Sequence, residues 1–143
     1  MENKRWRPTA PAYGCEYAQY YCAIVQYVYS INTGAMADIV RSLGGSKVAK
    51  KHLNNRLTDA STALELTGFG KNGVSLIGMT HELPAVLCAA IMRLSPPVLW
   101  LGAGHVDFKL ALPVQDFVDT AQCLIADISA PNSDGELATP PDA

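Results

Sequence analysis

The sequence predicts an α+β domain that is predominantly α-helical, with five or six helices and a small antiparallel β-hairpin near residues 98–112. Three observations carry this expectation. Apolar residues recur at helical spacing in several windows, as at Met36, Ile39, Val40 and Leu43. Glycines and prolines punctuate those windows, with Gly44-Gly45 and Gly68 as stops and Pro84 and Pro113 as starts. One stretch alternates strictly, with Val106, Phe108, Leu110 and Leu112 set against His105, Asp107, Lys109 and Ala111, the period-2 pattern of a half-buried strand.

Taken in order, residues 1–13 hold two prolines, Trp6 and basic residues without periodicity, and read as an extended N-terminal arm. Cys15 to Ser30 reads as a greasy helix with a narrow polar stripe at Glu16, Gln19 and Gln26. A short amphipathic helix then runs to Leu43. Ser46 can cap a second helix reaching Leu57, with Val48, Ala49, Leu53 and Leu57 on one side and Lys47, Lys50, Lys51 and Asn54 on another. A third begins within Thr58–Ser61 and stops at Gly68. Gly68 to Gly73 is loop-like, and Asn72-Gly73 signals a tight turn into the apolar run Val74–Met79.

Pro84 suits the first turn of a helix to about Leu94, apolar all round and therefore buried. Ser95-Pro96-Pro97 breaks it, Val98–Leu101 reads as a strand, and Gly102-Ala103-Gly104 allows the reversal into the alternating stretch. Pro113 opens a helix whose stripe of Val114, Phe117, Val118, Ala121, Leu124, Ile125 and Ile128 calls for a core to cover it. From Ser129 the composition turns to Ala, Pro, Asn, Ser, Asp and Gly, the signature of a flexible tail over 129–143. One globular domain over 14–128 is the organisation implied.

The 143 residues are 49% hydrophobic and 17% charged, ordinary for a globular chain that can build its own core. Four cysteines, Cys15, Cys22, Cys88 and Cys123, form no CxxC pair, so buried thiols in a reducing cytoplasm fit better than a disulfide framework or a zinc site. No signal peptide is evident, and the apolar runs fall short of the roughly 20 residues that cross a bilayer. No cofactor motif stands out. Gly68, Gly70 and Gly73 spell GxGxxG, but no strand precedes them to aim amides at a pyrophosphate, and a plain loop is the expectation.

Charge is unevenly placed. The net charge is −2, yet the first 60 residues hold eight Lys/Arg against four Asp/Glu and the remainder three against nine. Between Ile39 and Thr58 there is no acid, while Arg41, Lys47, Lys50, Lys51 and Arg56 fall there with His52. Such a segment can attract phosphate. Its layout, with Leu43-Gly44-Gly45-Ser46 as a turn between two helices, resembles the helix-turn-helix of phage and plasmid regulators. That resemblance covers residues 36–57 only. It implies a small DNA-binding regulatory protein with Lys47, Lys50, Lys51 and Asn54 toward the major groove and Arg41 and Arg56 on phosphates. Lys50 stands where that family has an apolar residue.

All six tyrosines lie between Tyr13 and Tyr29, an apolar area edged with hydroxyls. If Tyr17, Tyr20, Tyr21 and Tyr27 face outward, the chain is instead a protein-binding inhibitor or adaptor, such as a phage anti-defence factor, or a homodimer. If they face inward, they belong to a core helix. No nucleophile, base and stabiliser stand together in the sequence, so catalysis ranks behind both binding roles.

Overall fold

The computed structural model describes residues 18–43 and 56–131, together with Glu2–Asn3, Ala49 and Leu53–Asn54. Among these residues the order is β1 (Glu2–Asn3), β2 (Cys22–Ile24), β3 (Tyr29–Ile31), α1 (Thr33–Leu43), β4 (Leu53–Asn54) and α2 (Ala60–Thr67). There follow β5 (Ala85–Cys88), a 3-10 helix (Ala89–Arg93), β6 (Val98–Gly102), β7 (Lys109–Pro113), α3 (Val114–Ala121), β8 (Leu124–Ala126) and β9 (Ser129–Pro131).

The centre of the molecule is a parallel sheet in the order β2-β5-β8, with Ala23 opposite Val86 and Val86 opposite Leu124. All four residues of β5 are buried. A parallel strand covered on both faces has no solvent side, so its residues need not alternate in polarity. Around this sheet β3 pairs antiparallel with β9, β6 with β7, and β1 with β4. The Asn32 amide donates to the Ile128 carbonyl at 2.8 Å, which ties the start of α1 to the segment between β8 and β9.

The helices pack as amphipathic covers. Met36, Ala37 and Val40 of α1 and Val114 and Phe117 of α3 enter the same core as Val86, Leu87, Ile91 and Ile128. Asn32 caps α1 through its side-chain oxygen, which accepts the Ala35 amide at 3.0 Å. Asp59 caps α2, and Gly68 closes it in the left-handed conformation with φ 77°, donating to the Leu64 carbonyl. No helix among the described residues is long and apolar enough to cross a membrane.

The expectation of a predominantly helical chain with five or six helices is therefore corrected: among the described residues three α-helices and one short 3-10 helix are found, and strands frame them. The helix expected from Cys15 to Ser30 is replaced, where it is described, by β2 and β3. The one expected from Pro84 to Leu94 is β5 followed by the 3-10 turn. Ala85–Cys88 is a short, fully buried strand whose continuous apolar run periodicity alone does not separate from a buried helix, and half-buried Cys22–Ile24 is too short to show an alternation. The last predicted helix stops at Ala121, where Gln122 turns left-handed with φ 46°, and its remaining apolar positions serve β8 and the core residue Ile128. The expected tail at 129 begins with strand β9. Leu53 and Asn54, expected inside a helix, are strand, opposite Asn3 and Glu2.

Candidate active-site cavity

Pro84 and Ala85 lead into the central strand, and above them opens a cavity of about 560 Å³. One wall is the segment from Leu76 to Leu83, and the other is α3 with its exit residue Gln122. Leu76, Ile77, Met79, Leu83, Leu112 and Phe117 give it apolar sides. Glu82, Asp116, Thr120 and Gln122 supply the polar groups. A space of this size with mostly apolar walls and a few exposed polar residues suits a small organic ligand, for which sites commonly span roughly 300–1,000 Å³.

The loop wall is built to hold its shape. Its neck is closed by two backbone bonds, Thr80 amide to Thr67 carbonyl at 3.1 Å and His81 amide to Leu66 carbonyl at 2.9 Å. Thr67 is buried, donating its hydroxyl to the Ala63 carbonyl at 2.7 Å and accepting the Phe69 amide at 3.1 Å. Buried Ser75 accepts the Ile77 amide at 3.2 Å, shaping the run that lines the cavity. The same loop lies against the β6–β7 hairpin. A Cβ on Gly102 would stand 2.5 Å from the Val74 carbonyl oxygen, and one on Gly104 would stand 3.0 Å from the Phe69 ring. The close backbone approach is thus possible because side chains are missing there.

The helical wall is equally fixed. The Val114 amide donates to the Pro97 carbonyl at 3.0 Å, and buried Val114 and Phe117 lock the inner face of α3. Asp116, in the first turn of α3, and Thr120, one turn on, share the side that borders the cavity. Glu82 and Asp116 are its two formal charges, and the described residues lining it include no lysine, arginine or histidine. Either carboxylate can accept a proton from water or face a cation. The Thr120 hydroxyl and Gln122 amide can donate to a developing oxyanion.

The predicted binding residues fall elsewhere. Arg41 lies in the last turn of α1, 3.4 Å from Asp38 of the same helix. Arg56 lies exposed between β4 and α2, and Asn54 belongs to β4. Lys47, Lys50 and Lys51 lie outside the described residues, as does Tyr17. Tyr21 is buried in the core, where its hydroxyl accepts the Ala18 amide at 2.6 Å, so its ring does not offer a surface to a partner. Tyr20 is half-buried, and Tyr27 is the exposed one among the described members of the set, at 68%. The glycines of the GxGxxG run serve the turn and the loop's approach to the hairpin. Sequence reasoning missed the cavity residues, since Glu82, Asp116, Thr120 and Gln122 carry no local motif and only the fold brings loop and helix together.

No protein-family model and no curated protein matches the chain. Solved structures do. The chain is similar to a candidate trans-editing enzyme for prolyl tRNA synthetase, with 21% identity over 77% of this chain and 62% of that one, at a TM-score of 0.61. It is also similar to the hypothetical protein APE2540, with 23% identity over 77% of this chain and 65% of that one, at a TM-score of 0.59. The chain thus spans less than two thirds of the length of either, and the likeness is one of fold.

Proposed function

We propose that the protein is a hydrolase of aminoacyl esters carried on the 3′ end of tRNA. The observation that carries this is the cavity between the Leu76–Leu83 segment and α3, placed at the head of the central strand in a fold shared with a candidate trans-editing enzyme. Its apolar walls suit an amino-acid side chain, and its open mouth leaves room for the ribose that bears the ester.

The chemistry asked of the site is modest. A water oxygen adds to the ester carbonyl carbon, the bond from that carbon to the ribose oxygen breaks, and a proton passes to the ribose oxygen. The products are a free amino acid and a tRNA with its hydroxyl restored. Glu82 or Asp116 can accept the proton of the attacking water, a contribution of typically 10²–10⁴-fold for a positioned base. Thr120 and Gln122 are the side chains able to donate to the tetrahedral oxyanion.

The acid-free stretch from Arg41 to Arg56 fits the same partner, because a polyanion is attracted by clustered cations whatever its sequence. The electrostatics that favoured DNA therefore serve tRNA equally well. The test is loss of radiolabelled amino acid from mischarged tRNA prepared with prolyl tRNA synthetase, with and without the protein. Catalytic loss that falls at least about tenfold in Glu82→Gln or Asp116→Asn supports the proposal. Loss no faster than spontaneous hydrolysis, at protein in excess over tRNA, refutes it.

A binding role without chemistry is a second possibility, favoured by the exposed run Tyr27, Val28 and Tyr29 at the turn between β2 and β3. It requires a partner to cover that turn. A monomer mass in sedimentation at working concentration would exclude a second copy of the chain as that partner.

A further inference from the structure

The β6–β7 hairpin has two unlike faces. Leu99, Leu101 and Leu112 turn inward and pack on the core. The register sets Val98 opposite Pro113, Trp100 opposite Ala111 and Gly102 opposite Lys109, and the pleat brings these six to the other face. Trp100 stands at its centre, 68% exposed. Its partner across the ladder is an alanine and its neighbour two positions on is a glycine, so neither position covers the ring. An exposed tryptophan forfeits a large apolar burial and offers a flat π-face instead.

Two further observations bear on what this face meets. Positive charge gathers beside it: residues 61–143 hold three Lys/Arg against nine Asp/Glu, and two of the three, Lys71 and Lys109, flank the junction of loop and hairpin. Lys109 is a diagonal neighbour of Trp100, a relation that spans roughly 7–8 Å and lies within reach of a lysine side chain. Lys71 precedes Gly73 by two residues, and a Cβ on Gly73 would stand 3.0 Å from the Gly104 carbonyl oxygen. Asp107, the acid of the hairpin tip, lies 3.5 Å from His105. The face is also continuous with the cavity. The Val74 carbonyl oxygen lies 2.5 Å from where a Cβ of Gly102 would stand, and two residues further on Leu76 lines the cavity, as does Leu112 next to Ala111.

We propose that this face is a stacking subsite for an unpaired nucleotide at the 3′ end of tRNA, with Trp100 against the base and Lys109 on the neighbouring phosphate. The inference rests on the deacylase proposal for the identity of the nucleic acid. It goes beyond it in naming the surface that holds the strand leading into the cavity. An aromatic ring with a cation beside it holds single strands of any sequence, since every base has a π-face and every nucleotide a phosphate.

Trp6 and Trp100 are the two tryptophans of the chain, so Trp6→Phe leaves Trp100 as its sole indole reporter. The RNA trinucleotide cytidylyl-cytidylyl-adenosine, with which tRNA ends, is expected to quench that emission saturably. Inorganic polyphosphate, which has the charge without a base, is expected to leave it unchanged. Trinucleotide affinity, followed by amide chemical shifts, is expected to fall at least about fivefold in Trp100→Ala and to recover in large part in Trp100→Phe. In Lys109→Ala the slope of log affinity against log salt is expected to flatten by about 0.7, the share of one phosphate contact. Native dispersion of the amide signals shows that each variant is folded. Equal quenching by polyphosphate, unchanged affinity in Trp100→Ala, or absence of trinucleotide binding overturns the inference. So does a dimer in sedimentation that Trp100→Ala dissociates, because a second copy of the chain then covers the face.

Hydrolysis of a minimal aminoacyl ester without RNA, measured on the same preparation, keeps the two claims apart. Ester cleavage without quenching removes only the subsite. Quenching without cleavage removes the enzyme and leaves a binding site for the 3′ end of RNA.

Discussion

Leu87 is wholly buried in the middle of β5, flanked by Ile24 and Ile125 on the neighbouring strands. Truncating it removes packed atoms from a site whose walls come from several elements and cannot all move inward. Leu87→Ala is expected to cost about 2–5 kcal/mol, read from the midpoint of urea unfolding. Asp59 makes a pH-dependent contribution of a different kind. Its carboxylate accepts the Thr62 amide at 2.9 Å and the Thr62 hydroxyl at 2.8 Å, and these bonds, the amide first, hold its pKa below the usual carboxylate value. A group depressed in the folded state stabilises it above the unfolded pKa and loses that effect as pH falls through the folded value. Asp59→Ala is therefore expected to lower Tm at neutral pH, with the gap from the native protein closing as the solution is acidified past the carboxylate range. A gap that stays constant into acid would show that the charged cap contributes nothing. Burial pushes the Cys22 thiol above its ordinary value, which keeps it protonated and slow toward alkylating reagents until the chain is unfolded.

At the scale of elements, the glycine contacts between loop and hairpin make the sharpest comparison. A methyl at Gly102 would meet the Val74 carbonyl oxygen, whereas one at Gly70 would meet nothing within 4 Å. Gly102→Ala is expected to destabilise the fold by at least about 1 kcal/mol and to shift the signals of Leu76 and Ile77 on the cavity wall. Gly70→Ala is expected to stay within about 0.5 kcal/mol of the native protein. Equal stability of the two variants would mean that the loop does not rest on the hairpin as described. These elements also show where the sequence could be read. The stop at Gly68, the opening of α3 at Pro113 and the outward–inward alternation around Leu110 and Leu112 are local signals, and the observed boundaries lie close to them. Ala85–Cys88 was opaque because burial on both sides erases alternation, and Cys22–Ile24 because three half-buried residues are too few to show one. The cavity was opaque for another reason: Glu82 and Asp116 are 34 positions apart and meet the same space only after β5, β6 and β7 are placed.

At the scale of the whole molecule, charge and site are separated along the chain. The cavity is acidic, yet the proposed substrate is a polyanion, so attraction to it must arise elsewhere. The segment from Arg41 to Arg56 holds five of the eleven Lys/Arg residues and no acid. Such a segment acts on the RNA backbone without touching the ester, and its field reaches only about 8–10 Å at physiological salt. Substituting Lys47, Lys50 and Lys51 together by Ala is therefore expected to raise KM for aminoacyl-tRNA while leaving kcat nearly unchanged. It is also expected to flatten the dependence of log(kcat/KM) on log salt by up to about 2–3, the share of three phosphate contacts. A minimal aminoacyl ester without RNA provides the control, because its cleavage should be indifferent to these lysines. If kcat falls and the salt dependence is unchanged, the basic segment acts on the cavity through the fold rather than on the RNA. Binding of the polyanion must then be sought on another face.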